Sequence, residues 1–262
     1  MTSTEALITE ARRYCMEHYH YWATRYSKER TGQDYPTYSY SDNDYDLFPR
    51  YNILAAMLGE IETLVGKSFP SLTDCRTSLI QIGRSANSSL TDRKDNLIES
   101  AAIQQERDKF IQFIDTATPE ILEKTVPLPY RRRLEDAEKS DVYQVLLERW
   151  NYDGGYWDPI DNLSPVEIVY LAKAAITSAD LQAITGFISS QAAHLLETTE
   201  EGIITEISSG DFHLDCYETV FCDRNYEWLV YVSHESTVTF AGEALLGFVK
   251  HLFAGRENLL YP

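Results

Sequence analysis

Three groupings in the chain combine residue types that can do chemistry. His213, Cys216 and Cys222 bring metal-ligating side chains into one short segment. Read as a strand, positions 213 and 216 point to opposite faces and do not converge without a bulge. No second pair completes a tetrahedral zinc site, so no metal is expected. Ser233-His234-Glu235 has the residue types of a hydrolytic triad. Triad roles need side chains that converge in space, which three adjacent residues do not provide. A turn histidine beside a carboxylate is the expectation there. The third grouping, Asp42-Asn43-Asp44-Tyr45-Asp46, opens like a calcium loop. Its sixth position is Leu47 where the loop needs glycine, and its twelfth is Ile53 where it needs a bidentate glutamate. It is an acidic segment and not a cation site. Nucleotide-binding, hydrolase and zinc-protease signatures do not occur in the sequence, and no cofactor is expected.

Charge and aromatic content say more than these groupings. The 262 residues hold 23 basic and 41 acidic side chains, a net charge of −18. That balance repels nucleic acid and steers basic partners inward. Arg131, Arg132 and Arg133 form the only run of three adjacent basic residues, and pairing with local carboxylates is expected to occupy them. Nine of the 18 tyrosines lie between Tyr14 and Tyr51. Four of them fall in residues 29–47, where Gly32, Pro36 and many Ser, Asn and Asp residues predict a long loop. Two roles are open to these rings: a contact surface made at low entropic cost, or a lid folded over the helices. The scattered cysteines suggest buried thiols and no disulfide framework. The opening MTSTEALITEARRYC lacks the apolar core of a signal peptide, and no apolar run is long enough to span a bilayer, so a cytoplasmic protein is expected.

Periodicity supplies the elements that would carry these groups. Leu7, Ala11, Tyr14, His18, Trp22 and Arg25 predict a first helix over residues 4–28, with His18 packed in its stripe. A second helix is expected from Phe48, a third from Ser71, and a fourth over residues 91–115, with a short one at Thr118-Pro119-Glu120. Glu135, Asp136 and Glu138 open a helix that runs to Trp150. Ser164-Pro165-Val166-Glu167 predicts another helix start, buried through Ile168, Leu171 and Ala172. Ser178 caps a further helix, expected to continue to Leu195. The period then changes, and residues 203–207, 212–221, 227–232 and 237–240 read as strands joined by short turns. A final helix over 242–253 would cover one face of them. The reading is an α+β protein, mainly helical, with a C-terminal antiparallel β-meander covered by a terminal helix. A boundary is placed between a helical half, 1–126, and an α+β half, 127–262.

Two pieces of the C-terminal half carry a family likeness. One is Pro129-Tyr130-Arg131-Arg132 with Arg149-Trp150 and Gly155-Tyr156-Trp157-Asp158-Pro159; the other is Trp228 to Glu235 followed by Thr239-Phe240-Ala241-Gly242. Together they resemble immunity proteins of bacterial polymorphic-toxin systems. The resemblance implies a soluble, non-enzymatic blocker of a cognate toxin, and the acidity of the chain points to a basic toxin and away from nucleic acid and anionic membrane. Tyr35, Tyr38, Tyr40, Asp42, Asp44, Tyr45 and Asp46 are the expected contact residues. Two other readings are kept: an enzyme using Arg131 or Arg132 with His234 near the central aromatic stretch, and a scaffold whose acidity serves solubility alone.

Overall fold

The computed structural model describes residues 1–30, 39–92, 95–157 and 167–261. The chain divides into two compact units, Met1–Leu128 and Pro129–Pro262.

The first unit is helical: α1 (Ser3–Glu29), α2 (Asp42–Glu62), α3 (Leu72–Ser85), α4 (Leu97–Thr116) and the single turn α5 (Pro119–Leu122). Each of the four long helices starts at a side-chain cap, from Thr2, Ser41, Ser71 and Asn96, which satisfies amide donors that the helix cannot. The apolar stripes meet in one core that includes Leu7, Ala11, Cys15, Leu54, Met57, Leu79, Phe110 and Ile114. His18 stacks on Tyr14 with ring centroids 3.9 Å apart, and its Nδ1 lies 2.8 Å from the Tyr14 carbonyl oxygen.

Two expected boundaries in this unit move. Helix α2 begins at Asp42, six residues before Phe48, because Ser41 and Asp44 form a reciprocal capping box ahead of the aspartates. Pro49 therefore sits inside the helix and not in its first turn. Helix α4 begins at Leu97 instead of residue 91, with Asn96 accepting from the amides of Ile98 and Glu99.

The second unit is a sheet between helices. Its seven described strands run in the order β1-β4-β3-β5-β6-β7-β2, every neighbouring pair antiparallel. They are β1 (Arg131–Arg133), β2 (Ile168–Ala172), β3 (His194–Thr198), β4 (Ile204–Ser208), β5 (Thr219–Cys222), β6 (Leu229–Val232) and β7 (Thr237–Ala241). Helix α6 (Asp136–Trp150) buries Val142, Leu146 and Trp150 against Leu196, Val220, Cys222, Leu229 and Tyr231 on one face. On the other face, α7 (Ser178–Gln191) and α8 (Glu243–Leu252) pack Ile184, Ile188, Leu245 and Val249 onto Leu195, Phe221, Val230 and Phe240. The α+β class and the terminal helix after the strands are as expected.

Three strands replace other expectations. Ile168–Ala172 is β2, paired with β7 from Ile168↔Ala241 to Ala172↔Thr237, and not a helix. Its burial alternates with period two, Val169 and Leu171 inward, and Ile168, Val169 and Tyr170 suit a strand; residues 164–166 of the expected helix start lie outside the described residues. Helix α7 is capped by Thr177 and ends at Gln191, so Leu195 belongs to the buried strand β3 and not to the helix. The three arginines are themselves strand β1, joined to β4. The strand expected over 212–221 is confined to Thr219–Cys222, preceded by Glu218 at φ +44°.

Candidate functional site

The described part of the expected contact segment, Tyr40 to Asp46, leads into and opens α2, which like α1 carries aromatic side chains. Tyr19 and Tyr26 are two turns apart on α1, and Tyr45, Phe48 and Tyr51 are spaced by three on α2, so each set shares a face. The rings form a continuous chain. Tyr19 meets Tyr51 at 5.7 Å between centroids, Tyr51 meets Tyr26 at 5.7 Å and Phe48 at 5.5 Å, and Tyr26 meets Phe48 at 5.8 Å. Tyr40, just ahead of the α2 cap and 43% exposed, extends the chain to Tyr45 at 5.7 Å and Phe48 at 6.2 Å. Apart from exposed Tyr40, these rings are half-buried. Burial, with Tyr26 adding to it, pushes the Tyr51 phenol up to about 12, and burial and then Tyr40 raise Tyr26. Both hydroxyls stay protonated at neutral pH and offer a donor as well as acceptor lone pairs on an apolar surface.

The acidic residues divide. Asp42, the first residue of α2, is exposed. Asp44 is 0% exposed and works inside the cap: its carboxylate accepts from the Ser41 amide (2.9 Å) and hydroxyl (2.8 Å). Asp46 accepts from Arg50 at 2.6 Å, and Arg50 also donates to Glu106 (2.7 Å) and Gln105 (2.8 Å). Arg50, Arg25 and Lys109 all lie over Trp22, at 4.7, 5.1 and 5.6 Å from its ring. Of the seven expected contact residues, Tyr40 and Tyr45 join the aromatic chain, Asp42 is exposed at the first position of α2, and Asp46 is engaged by Arg50. Asp44 is structural, and Tyr35 and Tyr38 lie outside the described residues. Tyr19, Tyr26, Phe48 and Tyr51 were not among the expected residues. Their helical spacing was in the sequence, but taking residues 42–47 as loop hid the face that Tyr45 shares with Phe48.

The residues of the enzyme reading do not share a site. Arg131 pairs with Glu197 at 2.9 Å. Arg132 pairs with Glu138 at 2.9 Å and Glu206 at 3.1 Å. His234, in the turn after β6, places Nδ1 2.5 Å from Glu218 Oε1 and also donates its amide to that oxygen at 2.7 Å. Its carboxylate is thus Glu218 and not the adjacent Glu235. The Tyr231 hydroxyl donates to the second Glu218 oxygen. Strand β1 is an edge strand four places from β6 in the sheet, roughly 19 Å at the usual strand spacing. Among the described residues, no group of three or more His, Cys, Asp or Glu side chains is arranged to hold a metal ion, and no helix is long and apolar enough to cross a membrane. No family model, curated protein or solved structure matches the chain.

Proposed function

We propose that this protein is a non-enzymatic immunity protein that binds and neutralises a cognate toxin in the bacterial cytoplasm. The carrying observation is the continuous chain of tyrosine and phenylalanine rings on α1 and α2, ending at exposed Tyr40 and Asp42. Half-buried tyrosines are already fixed by their neighbours, so docking costs little further side-chain entropy, while their hydroxyls supply specificity. The net charge of −18 draws in a basic partner and raises the rate of encounter; it disfavours nucleic acid.

The test is co-expression with the toxin encoded beside this gene. The intact protein restores growth, and the double variant Tyr40→Ser/Asp42→Lys weakens binding to the purified toxin by roughly 100-fold, as loss of one central aromatic anchor and one complementary charge would. If the double variant binds and rescues like the parent, the surface is wrong. If the parent itself gives no rescue and no complex, the immunity reading fails.

A further inference from the structure

The sheet of the second unit has two edges, and they differ. Strand β1 at one end is three residues long and all arginine, so a second such strand brought alongside would meet like charge. Strand β2 at the other end, Ile168–Ala172, holds no charged side chain and no proline.

The pairing of β2 shows which of its backbone groups face outward. Tyr170 donates its amide to the Tyr261 carbonyl and accepts from the Tyr261 amide, both at 2.9 Å. Both backbone groups of Tyr170 therefore point away from β7, and by the alternation of an antiparallel ladder so do those of Ile168 and Ala172. In phase with this, Lys173 donates inward to the Ser236 carbonyl. Among the described residues, Tyr261 is the one that pairs with the outer edge. Its ring stacks on Tyr170 with centroids 5.4 Å apart, and it stays 51% exposed. Tyr261 thus gives Tyr170 what a tyrosine on a neighbouring strand would give, two backbone bonds and a ring contact.

The edge is complementary to itself. When two β2 strands pair antiparallel about Tyr170, the two tyrosines exchange the same pair of bonds, and Ile168 falls opposite Ala172 of the second copy. In that register Glu167 falls opposite Lys173 of the second copy, at both ends. Glu167 pairs with Lys250 across side chains that are 71% and 47% exposed, and the Lys173 ammonium lies 5.1 Å from the centre of the exposed Tyr217 ring. Parallel pairing would set Glu167 against Glu167.

We propose that the outer edge of β2 is a pairing site for β2 of a second copy of this chain, antiparallel about Tyr170, and that Tyr261 occupies this site in the single chain. Leu259 and Leu260 pack on the core of the unit and bring Tyr261 to the edge. Releasing Tyr261 gives up two hydrogen bonds and a ring contact, which the second copy replaces and extends to Ile168 and Ala172. None of these residues belongs to the aromatic surface of α1 and α2.

Sedimentation equilibrium of the full chain tests this at about 0.15 M salt, where a Debye length of about 8 Å screens the repulsion between two chains of net charge −18. Tyr261→Pro removes the amide that bonds Tyr170 and the stacked ring; Leu260, at φ −95° and ψ 128°, already suits the residue before a proline. That variant should dimerise about tenfold more tightly than the parent. Ala172→Pro added to it should return the protein to monomer. The Ala172 amide points outward and its φ of −62° is already that of proline, so the fold loses nothing. In the Tyr261→Pro background, Glu167→Lys and Lys173→Glu should each weaken the dimer several-fold, and the two together should restore it. Restoration cannot arise within one chain, where the two residues flank opposite ends of β2. Tyr261→Pro that is still monomeric at roughly 1 mM overturns the proposal and leaves the edge to an extended segment of a different protein. A dimer that survives Ala172→Pro, or a double charge swap that fails to restore it, overturns it as well.

Discussion

Both units bury carboxylates, and they satisfy them differently. In the helical unit, Arg12 reaches Glu62 at 3.4 Å, and Arg50 and Lys109 crowd onto one oxygen of Glu106, leaving Oε2 buried without a hydrogen-bond partner. In the sheet unit, Glu206 accepts on both oxygens, from Tyr130 (2.7 Å), Arg132 (3.1 Å) and Arg224 (2.6 Å), and Glu218 accepts from Tyr231 and twice from His234, while the buried Glu197 Oε2 has the charge of Arg131 at 2.9 Å but no aligned hydrogen bond. A helix satisfies its own backbone, so its packing needs only a stripe of apolar side chains and tolerates small slides. Strand register fixes every neighbour at once and sets residues distant in sequence, such as 130, 132, 206 and 224, side by side. Tolerance for change should therefore differ between the units.

Two glycines test this most severely. Gly242 sits at φ +99° after β7, where an added Cβ would lie 2.7 Å from Trp228 Cα and against the Glu227 carbonyl, both backbone. Gly242→Ala must move a strand end as well as hold a left-handed conformation, and should cost about 3 kcal/mol or more. Gly83 packs α3 on α4, where an added Cβ would lie 2.9 Å from Ile111 Cγ1 and Phe110 Cδ1, side-chain and not backbone atoms. The gain of about 1 kcal/mol in helix propensity offsets much of that crowding, so Gly83→Ala should fall within about 1.5 kcal/mol of the parent. Urea unfolding of both variants measures the difference; equal losses would abolish the distinction between the units.

The next largest effect is expected at Glu206. Burial pushes its carboxyl up, but the hydrogen bonds from Tyr130, Arg224 and Arg132 outweigh burial and hold it below the usual carboxylate range. A folded-state pKa below the unfolded value gives stability that is present above about 4.5 and lost as pH falls through the folded pKa. Glu206→Gln should cost about 2–3 kcal/mol at pH 7, because two arginines lose a buried partner. The gap between variant and parent should narrow in acid. Denaturant titrations at pH 7 and pH 3.5 check the sign: a gap that widens in acid would mean that Glu206 is not held ionised. His213 runs the opposite way. Its raised pKa gives stability that is complete below about 6.5 and declines as pH rises through about 10.

The same contrast governs what could be read from the sequence. Helices α1, α3 and α6 and the start of α5 were legible because caps and apolar spacing are local facts. Strands β1, β2 and β3 were not. RRR and HLLET lack a strand signature of their own and become strands because β4 and β5 present complementary edges, whereas IVYLA carries one in Ile168, Val169 and Tyr170 that the apparent helix start just before it outweighed. Glu197, Glu206 and Glu218 look like surface residues in the sequence, and their burial depends on arginines, tyrosines and histidines contributed by remote segments. Asp44 misled in the other direction. It looked like part of an acidic contact loop, yet three residues after Ser41 it is the N3 member of a capping box, and that spacing was in view. The aromatic surface was half legible: the wealth of tyrosine was plain, but the shared face needed the helix to start at Asp42.

The smallest effect separates a local device from a distributed one. Ser41 accepts the Asp44 amide at 3.3 Å and donates to its carboxylate at 2.8 Å, closing the first turn of α2. Ser41→Ala removes both bonds and should cost about 1 kcal/mol. Because a cap acts on the first turn, protection from hydrogen exchange should fall at residues 42–46 and leave the core amides of α2, such as Leu54 and Met57, at the level set by global stability. The same measurement on Glu206→Gln should show loosening in β1, in β4 and in the Asp223–Trp228 turn, where Asp223 accepts from the amides of Asn225, Glu227 and Trp228 and so positions Arg224. Loosening spread along α2 in Ser41→Ala, or confined to Glu206 itself in the other variant, would show that the helical unit is the more cooperative of the two, against what register and packing imply.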